Sequence, residues 1–301
     1  MSDAARHATR NGRLAMILAA IAWSSAGVLQ RELTATPATQ VFGRALFAFL
    51  SLLILVLLTD RKGIVSSLRS LGWTGVAVIA ALALSSGTFL LALNYTTVAN
   101  VLFLMATAPV FAALLGWAVL GERIAPRTWL AMGLAAGGVS AMVAGTLEAG
   151  FLAVALPLVM TAAFALVIVL TRLRRDVSML PATCVSQAVV ALVWLPFISL
   201  GSATGEDWSL FFVLGTFQVG AGLALLTIAA RLLPAAEVAV LSLLEIVIGP
   251  IWVWLAYSER PNTATFIGGV VVAAAVVVQA TGSRPTTPGP DRQPVAAAET
   301  G

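Results

Sequence analysis

Long apolar segments separated by short polar breaks account for most of the chain. A bilayer core about 30 Å thick is crossed by a helix of roughly 20 residues, since each residue advances an α-helix by about 1.5 Å. Ten segments come close to that length, and the breaks between them carry charges or turn-forming residues. The pattern predicts an all-α, polytopic membrane protein. Its predicted spans 1 to 10 cover residues 14–30, 38–58, 73–93, 98–120, 127–144, 150–171, 180–200, 210–230, 236–257 and 263–281.

The ninth span interrupts its apolar pattern with an acid and a proline. Glu245 lies near the middle of the segment 236–257, and Pro250 follows five residues later. A carboxylate at this depth costs about 2.5–3.5 kcal/mol, so it faces a partner or a cavity rather than lipid. Proline removes a backbone hydrogen bond and bends the helix. Span 9 is therefore predicted to be a bent helix beside a transport pathway. The alternative is that protonated Glu245 caps a carbonyl group that Pro250 leaves free.

The composition removes several classes of function. Of the residues, 60% are hydrophobic and 10% charged, and the mean hydropathy is +1.00, whereas soluble domains contain about 25% charged residues. The lone histidine, His7, precedes the first span, and the lone cysteine is Cys184, so an intrachain disulfide and an intramembrane imidazole are both excluded. The sequence contains no embedded aspartate pair and no HExxH, Gly-x-Ser-x-Gly or Walker motif. We expect no enzyme activity, no cofactor, no metal site and no nucleic-acid partner.

Basic residues set the expected orientation, because cytoplasmic loops are enriched in Lys and Arg. With the N-terminus inside, fourteen basic residues lie in inner loops and tails, whereas only Arg31 and Arg260 lie in outer loops. The segment 14–30 is interpreted as an uncleaved first helix, since it contains no convincing small-x-small cleavage site. We expect a multi-pass protein of the bacterial inner (plasma) membrane with both termini cytoplasmic. The inner residues are Arg6, Arg10, Arg13, Arg61, Lys62, Arg69, Arg123, Arg127, Arg172, Arg174, Arg175, Arg231, Arg284 and Arg292.

The two halves of the chain resemble each other. The segments 99–124 and 236–261 align without gaps at an offset of 137 residues, which pairs Glu122 with Glu259. Each half has five predicted spans, an odd number, so the second half must cross the membrane in the opposite orientation. Inverted repeats place a substrate site near the midplane, where the repeats meet; chance similarity of apolar segments is the alternative. The predicted organisation is a cytoplasmic tail (1–13), a first five-helix repeat (14–144), a second, inverted repeat (145–281) and a disordered cytoplasmic tail (282–301).

These features resemble the drug/metabolite transporter (DMT) superfamily, specifically its ten-span EamA family, over residues 14–281. Four segments carry the resemblance together: AAIAWSSAGVLQRE, FGRALFAF, ALNYTTVANVLFLMATAPVFAALLGWAVLGER and LPAAEVAVLSLLEIVIGPIWVWLAYSERP. The resemblance implies a secondary transporter in which spans 1, 3, 4, 6, 8 and 9 line a central cavity and spans 5 and 10 are peripheral. Many members have Glu-Pro in span 9, whereas Ile246 follows Glu245 here, so the position of the bend stays open.

The candidate site residues lie on these spans at helical spacing. In span 9, Ser242 and Trp252 share a face with Glu245, the candidate proton or ammonium site. Arg44 is the other embedded charge, and it is expected to snorkel, to pair with a carboxylate or to contact the substrate. Trp23 and Phe164 correspond to each other at an offset of 141 residues. The predicted cavity residues are Trp23, Ser24, Ser85, Phe89, Met105, Phe164, Gln218, Ser242, Glu245 and Trp252, and the predicted helix bends are at Pro109 and Pro250.

The expected function is secondary active transport that exports small metabolites across the inner membrane by alternating access. Aromatic rings, hydroxyl groups, an amide and one acid suit a zwitterion or an organic cation. Amino acids, including neutral and aromatic ones, are the expected substrates, and amino-acid exporters of the YddG type look most similar. Organic cations, drugs or other metabolites are the alternative, and a channel or an intramembrane enzyme is more remote. The expected partners are the small-molecule substrate and the lipid bilayer, and a monomer is expected to suffice.

Overall fold

The computed structural model describes residues 3–29, 32–59, 64–93, 95, 101, 104–105, 107–122, 124–142, 151–258 and 263–281. In these residues there is no β-strand, and a helix lies at each of the ten predicted spans. The predicted tail 282–301 and the break between spans 5 and 6 lie outside the described residues. The helices are α1a (Asp3–Ser24), α1b (Ala26–Leu29), α2 (Pro37–Thr59), α3 (Ile64–Leu93), α4 (Ala108–Leu120), α5 (Pro126–Met142), α6 (Phe151–Leu173), α7 (Leu180–Trp194), α8 (Gly205–Leu232), α9a (Ala235–Ser242), α9b (Leu244–Tyr257) and α10 (Thr263–Thr281), with 3₁₀ turns at Leu195–Phe197 and Leu200–Ser202.

Two helices begin nine or more residues earlier than hydropathy predicts. The first starts at Asp3, so the described part of the predicted N-terminal tail continues α1a. The third starts at Ile64, inside the predicted loop, and passes through Gly72, whose φ of 56° interrupts the regular helix. Leu68 and Leu71 of this early segment pack on the main core. The predicted loop was wrong here because spacing along one helix face, not average hydropathy, decides whether a short polar segment can dock.

Several helices have the length and surface of membrane-spanning segments. Large apolar side chains, among them Leu58, Leu255 and Phe266, remain 68–77% exposed, which suits contact with lipid rather than water. Two shorter apolar helices cover Ala108–Leu120 and Phe266–Val278. Within the described residues, six helices are long and apolar enough to cross a bilayer: Pro37–Thr59, Ser66–Phe89, Phe151–Leu173, Leu180–Phe197, Gly205–Leu232 and Ala235–Tyr257.

Packing between the helices repeats across the two halves of the chain. Helix α1 packs on α8 as α3 packs on α6, and α2 packs on α8 as α3 packs on α7. Three pairs join equivalent helices directly: α2 with α7, α4 with α9a, and α5 with α10. Helices α1 and α6 run in opposite directions, because Arg13 near the start of α1 and Arg172 near the end of α6 lie at the same end of the bundle. This end is called the proximal end below, and the opposite end, which contains Asp207 and Tyr257, the distal end.

Helix packing is densest at the proximal end, around the first half of span 9. Helix α9a, which starts there, packs against α1, α4, α5, α6, α8 and α10, and almost all of its side chains are buried. Helix α9b, which continues toward the distal end, packs mainly on α1 and α10 and leaves Trp252, Trp254 and Leu255 at least 39% exposed. The largest buried cluster therefore surrounds α9a, and the distal half of the same span is left largely uncovered.

Candidate functional site

Four of the predicted spans are irregular within the bundle. The first span breaks at Ser25, between α1a and α1b, and the ninth breaks at Leu243, whose ψ of −10° departs from a regular helix. Helix α4 starts at Ala108 after a turn at Thr107, whose ψ is −8°, one residue from the position equivalent to Leu243. Helix α8 is π-helical from Leu214 to Ala221. Irregular backbone at membrane depth is tolerated where it is buried in protein or lines a cavity, and π-helical turns are frequent at functional sites.

Trp23 lies where α1 meets two of these helices. Its ring packs edge-on against Phe164 of α6, with 5.8 Å between the ring centroids and 71° between the planes. Its indole also covers Gly222 of α8 so closely that a Cβ on this glycine would lie 2.2 Å from Trp23 Nε1. The aromatic residues that the repeat alignment pairs are therefore in direct contact, and Gly222 is required for the approach of α8.

Trp252 connects α9b to the break in the first span. Its indole Nε1 donates a hydrogen bond of 3.0 Å to Ser24 Oγ, which itself donates to the carbonyl of Ile21. Gly249, one turn before Trp252, also faces this point, since a Cβ there would lie 3.8 Å from the Ser24 carbonyl oxygen. Glu245 precedes Gly249 by a further turn on the same helix face. It is partly buried, and it forms no hydrogen bond or ion pair with the part of the chain that the structure describes.

A second group of predicted residues lies between α3, α6 and the segment before α4. Ser85 Oγ donates a hydrogen bond of 3.2 Å to the carbonyl of Met160, and Phe89 and Met105 pack around the Met160 side chain. Met160 lies one helical turn before Phe164, so this group is contiguous with the Trp23 contact. Sequence reasoning did not single out Met160, because a methionine in an apolar span has no distinguishing pattern.

The other predicted residues, Ser242, Pro109, Pro250 and Arg44, form no described polar contact with a different helix. Ser242 is buried, and its hydroxyl donates to the Ala239 carbonyl of its own helix, 2.8 Å away. Pro109 starts α4, and α9b continues from Leu244 through Pro250, so the described interruption of span 9 lies at Leu243. Arg44 is partly buried in α2 and forms no ion pair or hydrogen bond with the described residues.

Gln218 lies in the π-helical part of α8, and its side chain is 9% exposed. In an α-helix, two residues five positions apart are separated by about 140° around the axis. In a π-helical turn, which contains more residues, two such residues lie closer to the same face. This allows Gly215 and Gly220 to touch α2 together: a Cβ would lie 2.5 Å from Phe47 Cβ at the first position and 2.3 Å from Ser51 Oγ at the second. Gln218 lies away from that interface, in line with Gly222.

Ion pairs at the proximal end were missed from the sequence. Arg13 Nε donates to Glu237 Oε1 at 2.7 Å and thereby joins α1a to the start of α9a. Arg172 Nε, at the end of α6, donates to Glu122 Oε1 at 3.1 Å, and Glu122 Oε2 accepts from the backbone N–H of Ala235 at 3.4 Å. The shared Glu-Arg doublet identified Glu122 as part of a repeat but gave no indication of these partners.

A second polar cluster holds the distal end together. Asp207, 1% exposed, accepts hydrogen bonds from the backbone N–H groups and hydroxyls of Thr34 and Thr204 and, at 3.4 Å, from Ala35 N. Thr204 is also the N-cap of α8, in a capping box with Asp207. The carboxylate therefore connects the segment between α1 and α2, which contains Thr34 and Ala35, to the start of α8.

The described residues contain no group of three or more His, Cys, Asp or Glu side chains placed to hold a metal ion. The described contacts bring together two indoles, a phenyl ring and the Ser24 hydroxyl. Gln218 and Glu245 lie one helical turn from Gly222 and Gly249, the glycines that face this group. Such a set can bind a small amphipathic molecule through ring contacts and hydrogen bonds.

Comparison with known proteins identifies relatives of the whole chain. The model of the EamA-like transporter family matches twice, over residues 10–144 and 151–281. A solved crystal structure, described only as that of a protein, superposes with a TM-score of 0.76 and 17% sequence identity, covering 89% of this chain and 95% of its own. At this identity the likeness shows a common fold. No curated protein matches the chain significantly.

Proposed function

Because the chain belongs to the EamA-like transporter family and is thus a multi-pass membrane transporter within the DMT superfamily, we propose that it exports amino acids by alternating access. The proposed membrane is the bacterial inner membrane, crossed ten times, with the proximal end and both termini in the cytoplasm. The proposed substrates are neutral and aromatic amino acids, as in exporters of the YddG type. A monomer contains both repeats and is the proposed functional unit.

The observation that carries this proposal is that helices of both halves are irregular within the bundle. The breaks at Ser25, Thr107 and Leu243 and the π-helical turn around Gln218 come from both halves of the chain. Discontinuous helices at the repeat interface are the usual setting of midplane sites in secondary transporters, since they free polar groups for a substrate. Trp23 and Phe164 supply an apolar wall at the same place.

The uneven packing of span 9 supports the alternating-access part of the proposal. The proximal half, α9a, is enclosed by six other spans, and the ion pairs of Glu122 and Glu237 fasten its first turn. The distal half, α9b, is covered mainly by α1 and α10. A carrier needs one closed end at a time, and in this proposal the dense packing around α9a belongs to the state that is closed toward the cytoplasm. Export requires a second state in which the proximal contacts separate.

A second candidate substrate class is favoured by one residue. Glu245 lies near the Leu243 break without an ion-pair partner among the described residues. A carboxylate on the helix face that also carries Trp252 suits an organic cation through charge and cation–π contact. Export of organic cations or drugs is therefore the alternative to amino-acid export.

Counterflow in proteoliposomes tests both candidates. Purified protein is reconstituted, the vesicles are loaded with one unlabelled compound, and uptake of a labelled one is followed for wild type and Glu245→Ala. Amino-acid transport predicts saturable counterflow of neutral and aromatic amino acids. Counterflow of organic cations alone would select the second candidate. Flux that neither saturates nor shows competition would contradict a carrier.

A further inference from the structure

The side-chain oxygen of Gln218 is buried without a partner. Its Oε1 is inaccessible to solvent and accepts no hydrogen bond, and its Nε2 donates to no residue in the described part of the chain. Leaving a buried polar group unpaired costs about 1–3 kcal/mol. Most other buried hydroxyls of the bundle, such as those of Thr161 and Thr227, avoid this cost by donating to a carbonyl of their own helix. The Gln218 amide is different in having no such local partner.

The position of Gln218 indicates which element the amide faces. Gly215 and Gly220 occupy the face of α8 that touches α2, whereas Gln218 and Gly222, four residues apart, share the face toward α1. The π-helical segment contacts both α1a and the short helix α1b beyond the Ser25 break. Gly222 lies under Trp23, so Gln218 lies one turn farther toward the distal end, beside the broken part of the first span.

Trp23 supplies a second polar group without a partner. Its indole Nε1–H lies against Gly222 and donates to no acceptor among the described residues. The two helices thus present an amide with one acceptor and two donor hydrogens, and an indole donor about one turn away. The ring of Phe164 packs on the same indole.

We propose that Gln218 is a specificity-determining residue that binds the ammonium and carboxylate groups of a zwitterionic α-amino acid. The amide Oε1 accepts a hydrogen bond from the substrate ammonium, and Nε2–H and the Trp23 indole N–H donate to its carboxylate. The side chain of the substrate then lies against Trp23 and Phe164. This proposal rests on the proposed transport function and adds to it the residues that recognise the two charged groups of the substrate.

A site made of uncharged hydrogen-bonding groups distinguishes an amino acid from analogues that lack either its ammonium or its carboxylate. An amine without a carboxylate leaves the Nε2–H and indole donors unpaired, and a carboxylic acid without an ammonium leaves Oε1 unpaired. Sites built to hydrogen-bond a substrate group reject analogues that lack this group far more strongly than apolar pockets reject a missing methylene. A site organised by Glu245 alone would instead accept the amine.

Competition in the reconstituted system tests the proposal. Counterflow of labelled L-phenylalanine is inhibited with unlabelled L-phenylalanine, phenethylamine, which lacks the carboxylate, or 3-phenylpropionate, which lacks the ammonium. In wild type, both analogues should be at least about tenfold weaker inhibitors than the amino acid. Gln218→Leu should weaken inhibition by L-phenylalanine about tenfold or more and leave the two analogues nearly unchanged. Phe217→Leu, at the adjacent lipid-facing position that is 59% exposed, should behave as wild type.

Thermal unfolding of the substrate-free protein separates recognition from a structural role. Removing an unpaired buried amide removes its desolvation cost, so Gln218→Leu should unfold at the wild-type temperature or above it. A lower unfolding temperature, or failure to fold, would overturn the proposal, as would unchanged selectivity in Gln218→Leu. Wild-type counterflow restricted to organic cations would also overturn it while leaving the transporter intact, whereas absence of all counterflow would contradict the proposed function itself.

Discussion

Removing the Glu122 carboxylate should open the proximal end of the bundle. Glu122 accepts hydrogen bonds from Arg172 and from the first backbone N–H of α9a, at 3.1 and 3.4 Å. In Glu122→Gln the charge is lost, while Arg172 keeps its 2.9 Å hydrogen bond to the Arg231 carbonyl. Hydrogen bonds to charged groups contribute about 1.5–3 kcal/mol, and the side chains of Arg172 and Glu122 are 16% and 23% exposed, which favours the low end of that range.

A loss of about 1.5 kcal/mol from the closed state corresponds to roughly a tenfold shift toward the open state. Cysteine accessibility measures this shift. In a Cys184→Ser background, which contains no other cysteine, a single cysteine replaces Ser242, which is 4% exposed at the end of α9a. Inside-out membrane vesicles are then treated with an impermeant thiol reagent. Glu122→Gln should raise the labelling rate about tenfold, and Glu122→Gln combined with Glu237→Gln should raise it further.

A surface ion pair at the same end provides the matched control. Asp176 pairs with Arg174 at 3.4 Å, and its side chain is 65% exposed, so Asp176→Asn should leave the labelling rate unchanged. Equal labelling of wild type and the double Glu122 and Glu237 variant would refute the assignment of these ion pairs to the closed state.

Three further predictions concern single residues. Gly222→Ala should abolish or strongly reduce transport, because its Cβ would force Trp23 to move by about 1 Å at an overpacking cost of about 1–3 kcal/mol; Gly249→Ala, with 3.8 Å to its nearest neighbour, should retain wild-type counterflow. If export is coupled to protons, Glu245→Gln should abolish the dependence of uptake on an imposed pH gradient, and coupling that survives this substitution would exclude Glu245 as the proton site. Asp207→Asn should lower stability by about 1–3 kcal/mol in thermal unfolding, since an amide cannot accept all the hydrogen bonds that the carboxylate receives; an unchanged unfolding temperature would show that the distal cluster contributes little.

Hydropathy predicted that a helix lies at each of the ten spans, because the need to satisfy the backbone within lipid leaves few alternatives to a helix, but it did not predict where α1 and α3 begin. The family also followed from the sequence, and the repeat alignment paired Trp23 with Phe164. Alignment could pair them but could not show that they touch.

The irregularities within the helices were much harder to predict. Pro250 was the obvious place for a bend, yet span 9 is interrupted at Leu243, which has no unusual local preference. The break and the π-helical turn of α8 depend on how neighbouring helices pack, as the approach of Gly215 and Gly220 to α2 shows. The pairing of Arg13 with Glu237 joins residues 224 positions apart, and neither residue lies in a motif that reveals the other.

The wide turn of α8 has a consequence for the ancestry of the chain. In a π-helical turn the hydrogen bond joins residues five positions apart, whereas in an α-helix it joins residues four positions apart, so the turn contains one additional residue. If the two halves arose by duplication, this residue is an insertion or its counterpart in α3 was deleted. The offset of 137 residues between the halves pairs Ser85 with Gly222, and it should change by one residue before Leu214. A gapless alignment of the halves would therefore misplace the first part of α8. Deleting one residue between Leu214 and Ala221 should restore a regular α-helix and rotate either Gln218 or Gly222 away from Trp23.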